Sequence, residues 1–298
     1  MTDTREKHLF AGLESIVKTH VPLAERTWFR IGGPAEYFVE PTDADQLREV
    51  LRRCRDNDVP LHVLGGGANL PIDDAGVAGA VVHLSAEAFS DVRYVDGVLT
   101  VGAGRDLPKL VLHCVRQGWA GLECLTGIPG TVGGCVKMNA GGDFGDVGSI
   151  IDSVEVMAAD GVAFTRTHDD LAFSYRSTNL TSPVILGASF RLSEDDPHRI
   201  LRQVKEIWIY KKNSQPLGHP NAGCVFKNPR GMSAGALIDQ AGLKGRRVGG
   251  AHVSEKHANF ILAETGTRAS DVLKLINIIR EAVYKRFEVY LELELEVW

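Results

Sequence analysis

The chain has 298 residues, 44% of them hydrophobic and 24% charged, with a formal net charge of −5 at pH 7. That length and mixture build buried cores in one large or two to three ordinary domains, and they exclude a disordered or collagen-like chain. No apolar run reaches the ~18 residues that cross a bilayer, and the opening MTDTREKHLF lacks the apolar segment of a signal peptide, so a cytoplasmic protein is expected.

Cysteine stands at positions 54, 114, 124, 135 and 224, an odd number that suits reduced thiols better than a disulfide framework. With no CxxC and no HExxH, no metal site is expected. Two distributions are uneven. Of 32 glycines, 20 lie between Gly32 and Gly148. Residues 1–200 carry a net −10 and residues 201–298 a net +5. A basic C-terminal third suits a small anionic ligand. No dense basic run with interleaved aromatics points to nucleic acid.

In chain order, Leu9, Leu13, Ile16 and Val17 recur at helical spacing and predict a helix over Arg5–His20. Ala35–Val39 reads as a strand. Thr42 or Asp43 caps a helix with the stripe Leu47, Val50, Leu51 and Cys54. Leu61–Leu64 is a short strand running into Gly65-Gly66-Gly67, and Val77–Leu84 closes a first βαβ-like unit. A second such unit has strand Val98–Val101, helix Leu107–Gln117, a glycine-rich stretch to Gly148, and strands near Ile151–Met157 and Val184–Leu192. Beyond a polar link come helices over Ile200–Lys212 and Ser270–Phe287. A last strand alternates Val289, Leu291, Leu293, Leu295 and Val297 inward with Glu292, Glu294 and Glu296 outward.

Several segments carry candidate chemistry. Three glycines after a strand turn backbone N–H groups toward an anion, or simply allow a tight turn. Gly127–Gly134 followed by Met138–Gly142 is a second loop that brings backbone close to something. A flat cofactor with a diphosphate would use both; a glycine-rich core crossing is the plain alternative. Gly102-Ala-Gly104 lacks the third glycine of a dinucleotide turn. Arg176, beside Tyr175, suits a carboxylate or a developing oxyanion, or is a surface arginine stacked on its tyrosine. Cys224 is a candidate thiol or a buried small hydrophobe. Nine Lys and Arg against two acids lie between Arg202 and Arg247.

Taken together, TWFRIGGPA, LGGGANL, AGLECLTGIPGTVGGCVKMNAGG, FSYRS, NAGCVFKNP, AGLKGRRVGGAHVSEKHANFI and the final LELE resemble the UDP-N-acetylenolpyruvoylglucosamine reductases, also called UDP-N-acetylmuramate dehydrogenases. These motifs span residues 27–294. The resemblance implies an α+β protein with the PCMH-type, vanillyl-alcohol-oxidase-like FAD-binding fold. It divides the chain into an N-terminal helix (1–22), an FAD-binding domain (23–194, with subdomains about 23–85 and 86–194) and a C-terminal UDP-sugar domain (195–298). It implies non-covalent FAD at Gly65, Gly66, Gly67, Ala68, Asn69, Gly127, Ile128, Pro129, Gly130, Thr131, Gly134, Asn139 and Ala140, with NADPH as co-substrate.

By the same resemblance the catalytic residues are Arg176, Cys224 and Glu294, and Tyr175, Lys227, Asn228 and Arg247 contact the UDP-sugar. Neither nucleic acid, membrane nor an obligate protein partner is implied. The compact SYRS context is similar to the shorter type II subgroup. Three positions depart from the family pattern. Cys224 stands where the proton donor is usually serine, Ala68 has no hydroxyl for the diphosphate, and Ala263-Glu264 replaces the asparagine after HANFI. A thiol of reference pKa ~8.5 is still mainly protonated at neutral pH, so the first exchange is chemically credible. Rival readings are a flavin-dependent oxidase on the same fold, an inactive nucleotide-sugar binder and a cysteine hydrolase. The last lacks a histidine placed by any motif to activate Cys224.

Overall fold

A computed structural model describes residues 9–298. Two compact units divide them, and neither is one continuous segment. The first takes the chain up to Val21, then Glu36–Gly66 and Ala78–Ile209; the second takes Pro22–Ala35, Gly67–Val77 and Tyr210–Trp298. This differs from a serial division at residues 22 and 194, because the second core draws Phe29 and Ile31 in with residues beyond 220.

The first unit opens with a four-stranded sheet in the order Val17–Pro22, Pro34–Val39, Val77–His83, Leu61–Leu64. The last two strands are parallel but are joined by the helix-free stretch 65–76, and the strands on either side of the helix Ala44–Asp56, Pro34–Val39 and Leu61–Leu64, are not neighbours in the sheet, so the first βαβ-like unit is not a simple one. The helix Ala44–Asp56 begins where the sequence predicts: the Asp43 carboxylate accepts the Gln46 N–H at 2.8 Å, and Leu47, Val50, Leu51 and Cys54 are buried. The helix expected over Arg5–His20 is corrected. Residues 1–8 lie outside the described residues, Phe10–Ile16 makes turns, and Val17–Pro22 is a strand. Val17, Thr19 and Val21 are β-branched at every second position, which outweighs the helical spacing upstream.

A five-stranded sheet follows in the order Ala163–Thr167, Ile151–Met157, Val184–Arg191, Val98–Gly102, Val92–Val95. Every pair in it is antiparallel, so the second βαβ-like unit is corrected as well. The cause is local. Asp96 and Gly97 both have positive φ, 49° and 82°, the backbone of a two-residue hairpin that pairs Val92–Val95 with Val98–Gly102. The helix Leu107–Gln117 then starts at Asp106, whose carboxylate accepts the Lys109 N–H, and ends at left-handed Gly118. Burial pushes the thiols of Cys54 and Cys114 up to about 11 and about 12, with Glu123 adding to the second, so both are packing residues rather than nucleophiles.

In the second unit the helix Ala269–Phe287 buries Val272, Leu275, Ile276, Ile279 and Val283. The short helix Ala234–Gln240 and a three-stranded sheet (Arg247–Val248, Ala251–Val253, Ile261–Ala263) complete the unit. The predicted strand over Val289–Val297 is extended but not one continuous ladder. Around Leu293 it bonds to Val225 and Lys227; from Glu296 onward it bonds to Asn69, Pro71 and Asp73. Leu291 and Leu295 are buried as the alternation predicts, whereas Val297 is 42% exposed. The change of partner ends the regular alternation. Among the described residues no helix is long and apolar enough to cross a membrane.

Candidate active site

In the first unit three glycine-containing loops converge. A Cβ on Gly65 would stand 2.7 Å from Thr131 Oγ1, and one on Gly66 would stand 2.5 Å from Gly130 Cα. The two loops singled out in the sequence therefore pack directly on each other. The third, around Gly102-Ala-Gly104, joins through backbone bonds: Leu107 N–H to Gly130 O, Val132 N–H to Arg105 O and Gly133 N–H to Ala103 O, at 2.9–3.0 Å. Its glycines have a packing cause, since side chains there would overlap the backbone of Phe89 and Leu84.

Gly134 is different. It sits in the first turn of the helix Val132–Lys137, without positive φ, and an added Cβ would meet only Thr131 Oγ1 at 3.6 Å, an ordinary contact. Alanine there would favour the helix by up to ~1 kcal/mol. Nothing in the chain itself asks for glycine, which fits a ligand lying against the backbone. Ile128 and Pro129 line the same loop, half-buried, between Gly127 and Gly130, both at positive φ. Ala140 closes the segment beyond the helix through its N–H to Cys135 O.

Asn139 follows that helix with φ +41° and is 2% exposed. Its Nδ2 donates to Ser174 O at 2.9 Å and Asp146 Oδ2 at 3.4 Å, and its Oδ1 accepts the Gly148 N–H at 2.9 Å. Ser174 belongs to a hairpin, Phe173–Ser174 against Ser177–Thr178, that presents Tyr175 and Arg176 at its tip. Arg176 has φ 55°, and its guanidinium carbon lies 5.0 Å from the centre of the Tyr175 ring. An L-residue in the left-handed region is strained.

In the second unit Gly67, φ +61°, receives the Trp28 N–H on its carbonyl at 3.0 Å, and half-buried Ala68 follows it. Asn69 Nδ2 donates to the Glu294 carbonyl at 2.9 Å, so two residues predicted from distant motifs are joined. Glu294 N–H donates to Val225 O and Lys227 N–H to Glu292 O, an antiparallel register that sets Glu294 opposite the residue following Cys224. Cys224 and Glu294 are both half-buried, whereas Glu292 and Glu296 are exposed. Alternation alone did not distinguish these glutamates; their burial does differ.

The three predicted substrate contacts of this unit have protein partners. Lys227 Nζ pairs with Glu292 Oε1 at 2.5 Å, and Arg247 Nη1 pairs with Glu264 Oε1 at 2.7 Å. Arg247 holds the Glu264 carboxyl below the usual carboxylate range. Asn228 Oδ1 accepts the Ala234 N–H at 3.0 Å, helping Ser233 cap the helix Ala234–Gln240. Glu264 is the residue that follows the position where the family's asparagine is missing.

Two positioning residues escaped the sequence reading. Asn259, 3% exposed, binds both polar groups of Phe226: its Oδ1 accepts the N–H at 3.0 Å and its Nδ2 donates to the carbonyl at 2.8 Å. Its own carbonyl accepts the Val225 N–H. One face of the segment after Cys224 is thus held by Asn259 and the other by Glu292 and Glu294. An asparagine inside the apolar run HANFIL was the available signal. Asp74 is the second, and its carboxylate accepts the Ala269 and Ser270 N–H groups at 2.8 and 3.2 Å.

Comparisons with known proteins place the chain among relatives. The family description "UDP-N-acetylenolpyruvoylglucosamine reductase, C-terminal domain" matches residues 215–298, and "FAD binding domain" matches residues 35–166. The UDP-N-acetylenolpyruvoylglucosamine reductase of Syntrophobacter fumaroxidans is 42% identical over 94% of this chain and 83% of its own length. Reductase 2 of Symbiobacterium thermophilum is 42% identical over 93% and 90%. The crystal structure of the Thermus caldophilus reductase superposes with a TM-score of 0.80 at 41% identity, covering 95% of this chain and 98% of that one. With relatives at this identity along nearly all of its length, the chain belongs to the UDP-N-acetylenolpyruvoylglucosamine reductase family.

Proposed function

We propose that this chain reduces UDP-N-acetylglucosamine enolpyruvate to UDP-N-acetylmuramate with NADPH, a cytoplasmic step in peptidoglycan precursor synthesis. The observation that carries the reading is the register setting Glu294 opposite the residue after Cys224, with Asn69 bonded to Glu294. Backbone pairing thus brings together two motifs that lie some 70 residues apart in the chain.

The first unit fits FAD: its glycine loops pack backbone against backbone, and Gly134 leaves the space that a Cβ would fill. Gly65, Gly66, Gly127, Gly130, Thr131, Gly134 and Ala140 would hold it there. When bound, the flavin supplies a hydride carrier between nicotinamide and the enolpyruvyl methylene. Hydride addition builds negative charge at the adjacent carbon, delocalised into the substrate carboxylate. The Arg176 guanidinium stabilises that charge as it develops. Cys224 donates the proton from Sγ that completes the lactyl group, and Glu294 supports the same charge when protonated or through water. Tyr175 orients Arg176 by stacking. Lys227 and Arg247 are the candidate diphosphate contacts, and each must exchange its carboxylate partner for the ligand.

The test is the visible spectrum of purified protein under anaerobic conditions. A yellow protein bleached by NADPH, recoloured by the enolpyruvyl sugar, and releasing free flavin on denaturation fits the proposal. Recolouring only by oxygen would make it an oxidase instead.

A further inference from the structure

We infer that Asn139 is a positioning residue that fastens the Arg176 hairpin to the cofactor cradle, an inference that rests on the role proposed for Arg176. The amide is spent on protein partners: Ser174 O and Asp146 Oδ2 take its donors, and Gly148 N–H meets its oxygen. Ser174 lies two residues before Arg176 in the hairpin. Gly148 is packed against the same hairpin, since a Cβ on it would stand 2.6 Å from Phe173 Cβ. The other strand is fastened as well, because Thr178 Oγ1 donates to Lys137 O at 3.4 Å.

Lys137 and Asn139 end and follow the helix that starts at Val132, directly after the Gly127–Thr131 loop. One short helix therefore has the cradle at its start and both hairpin fastenings at its finish. Asn139 sits at φ +41°, a conformation that asparagine tolerates and most residues do not. A buried amide with its hydrogen-bonding groups engaged, in a strained backbone, fixes the hairpin against the helix rather than serving as a spare cofactor ligand.

The experiment compares Asn139→Asp, Asn139→Ser, Arg176→Ala and the double variants as FAD-loaded proteins. Aspartate keeps the acceptor for Gly148 N–H and replaces the donor to Ser174 O with an oxygen. Flavin absorbance follows reduction by NADPH and then reoxidation by the enolpyruvyl sugar, and amide hydrogen exchange reads residues 173–178. Misplacing Arg176 should slow reoxidation about 10- to 100-fold more than reduction. In the Arg176→Ala background the same substitution should add less than about a twofold effect, because the two act as a unit. Exchange at 173–178 should quicken while residues 44–56 keep the parental rate.

Equal slowing of both half-reactions, multiplicative effects in the double variant, unchanged exchange at 173–178, or loss of FAD from the Asn139 variants would overturn the inference. Should those variants not fold, Thr178→Val loosens the other strand, and the same split between half-reactions is expected, again only where Arg176 is present. Parental reoxidation by the Arg176→Ala single variant would overturn the proposed role of Arg176 itself, and the inference with it.

Discussion

In the role proposed for Cys224 the proton comes from a thiol, by its reference pKa a much stronger acid than a serine hydroxyl. Cys224→Ala should leave reduction by NADPH intact and slow reoxidation by the sugar roughly 100- to 10,000-fold. Cys224→Ser should keep substantial activity and lose the alkaline decline expected of a thiol acid. A pH profile of reoxidation for the three proteins checks this, and a Cys224→Ala protein at the parental rate would remove the thiol from the mechanism. Arg176 carries its own cost at φ 55°. Arg176→Gly should raise stability by about 1 kcal/mol through relief of the left-handed strain while abolishing reoxidation. A thermal melt beside the half-reaction separates the two effects. Gly134→Ala should leave the apoprotein as stable or up to ~1 kcal/mol more so, yet lower its flavin content. Bound flavin per protein measures it. Gly66→Val is a poorer test, because that side chain strikes Gly130 whether or not flavin is present.

Elements whose signals are local were legible in the sequence. The helices Ala44–Asp56, Leu107–Gln117 and Ala269–Phe287 follow from stripes and caps within a few residues of one another. The two glycine loops and the SYR hairpin were visible as candidate sites for the same reason. What escaped depends on partners distant in the chain. The final extended segment takes one ladder from residues 225–227 and another from residues 69–73, and no periodicity foretells a change of partner. The capping partner of the helix Ala269–Phe287 is another case, because Asp74, 195 residues away, accepts its first N–H groups. Burial pushes the Asp74 carboxyl up, but the Ala269 and Ser270 N–H groups and the Arg268 charge outweigh it and leave it below its ordinary value. A carboxyl depressed in the folded state adds stability above its unfolded pKa and loses it as pH falls through the folded one. Asp74→Asn should therefore cost about 1 kcal/mol at neutral pH, with the difference vanishing in acid below the folded pKa. Denaturant melts at pH 7 and through a descending acid series would show it, and a pH-independent cost would point to packing rather than charge.

At the scale of the whole molecule, the second core draws on residues outside the matched C-terminal domain. Residues 215–298 lack Phe29 and Ile31, both nearly fully buried in the second core, and the backbone partners of residues 296–298. A fragment of residues 215–298 is expected to show no cooperative unfolding transition, and a sharp melt would refute this. The serial domain picture fails to anticipate this because short motifs reveal their chemistry and not which core they enter. Phe29 and Ile31 stand in TWFRIGGPA, which reads as a family signature long before it reads as core.

The bonds between Trp298 and residues 71–73 also carry a consequence for biosynthesis. Trp298 N–H donates to Pro71 O and Asp73 N–H to Trp298 O, closing a loop of more than 220 residues. At ~5–20 residues per second, a ribosome takes roughly 10 to 45 s to travel from one partner to the other. Through that interval Phe29 and Ile31 have emerged with no core to enter, exposed apolar groups of the kind that chaperones hold. The second unit can close only after Trp298 has emerged from the exit tunnel, even where the first unit has already formed its sheets.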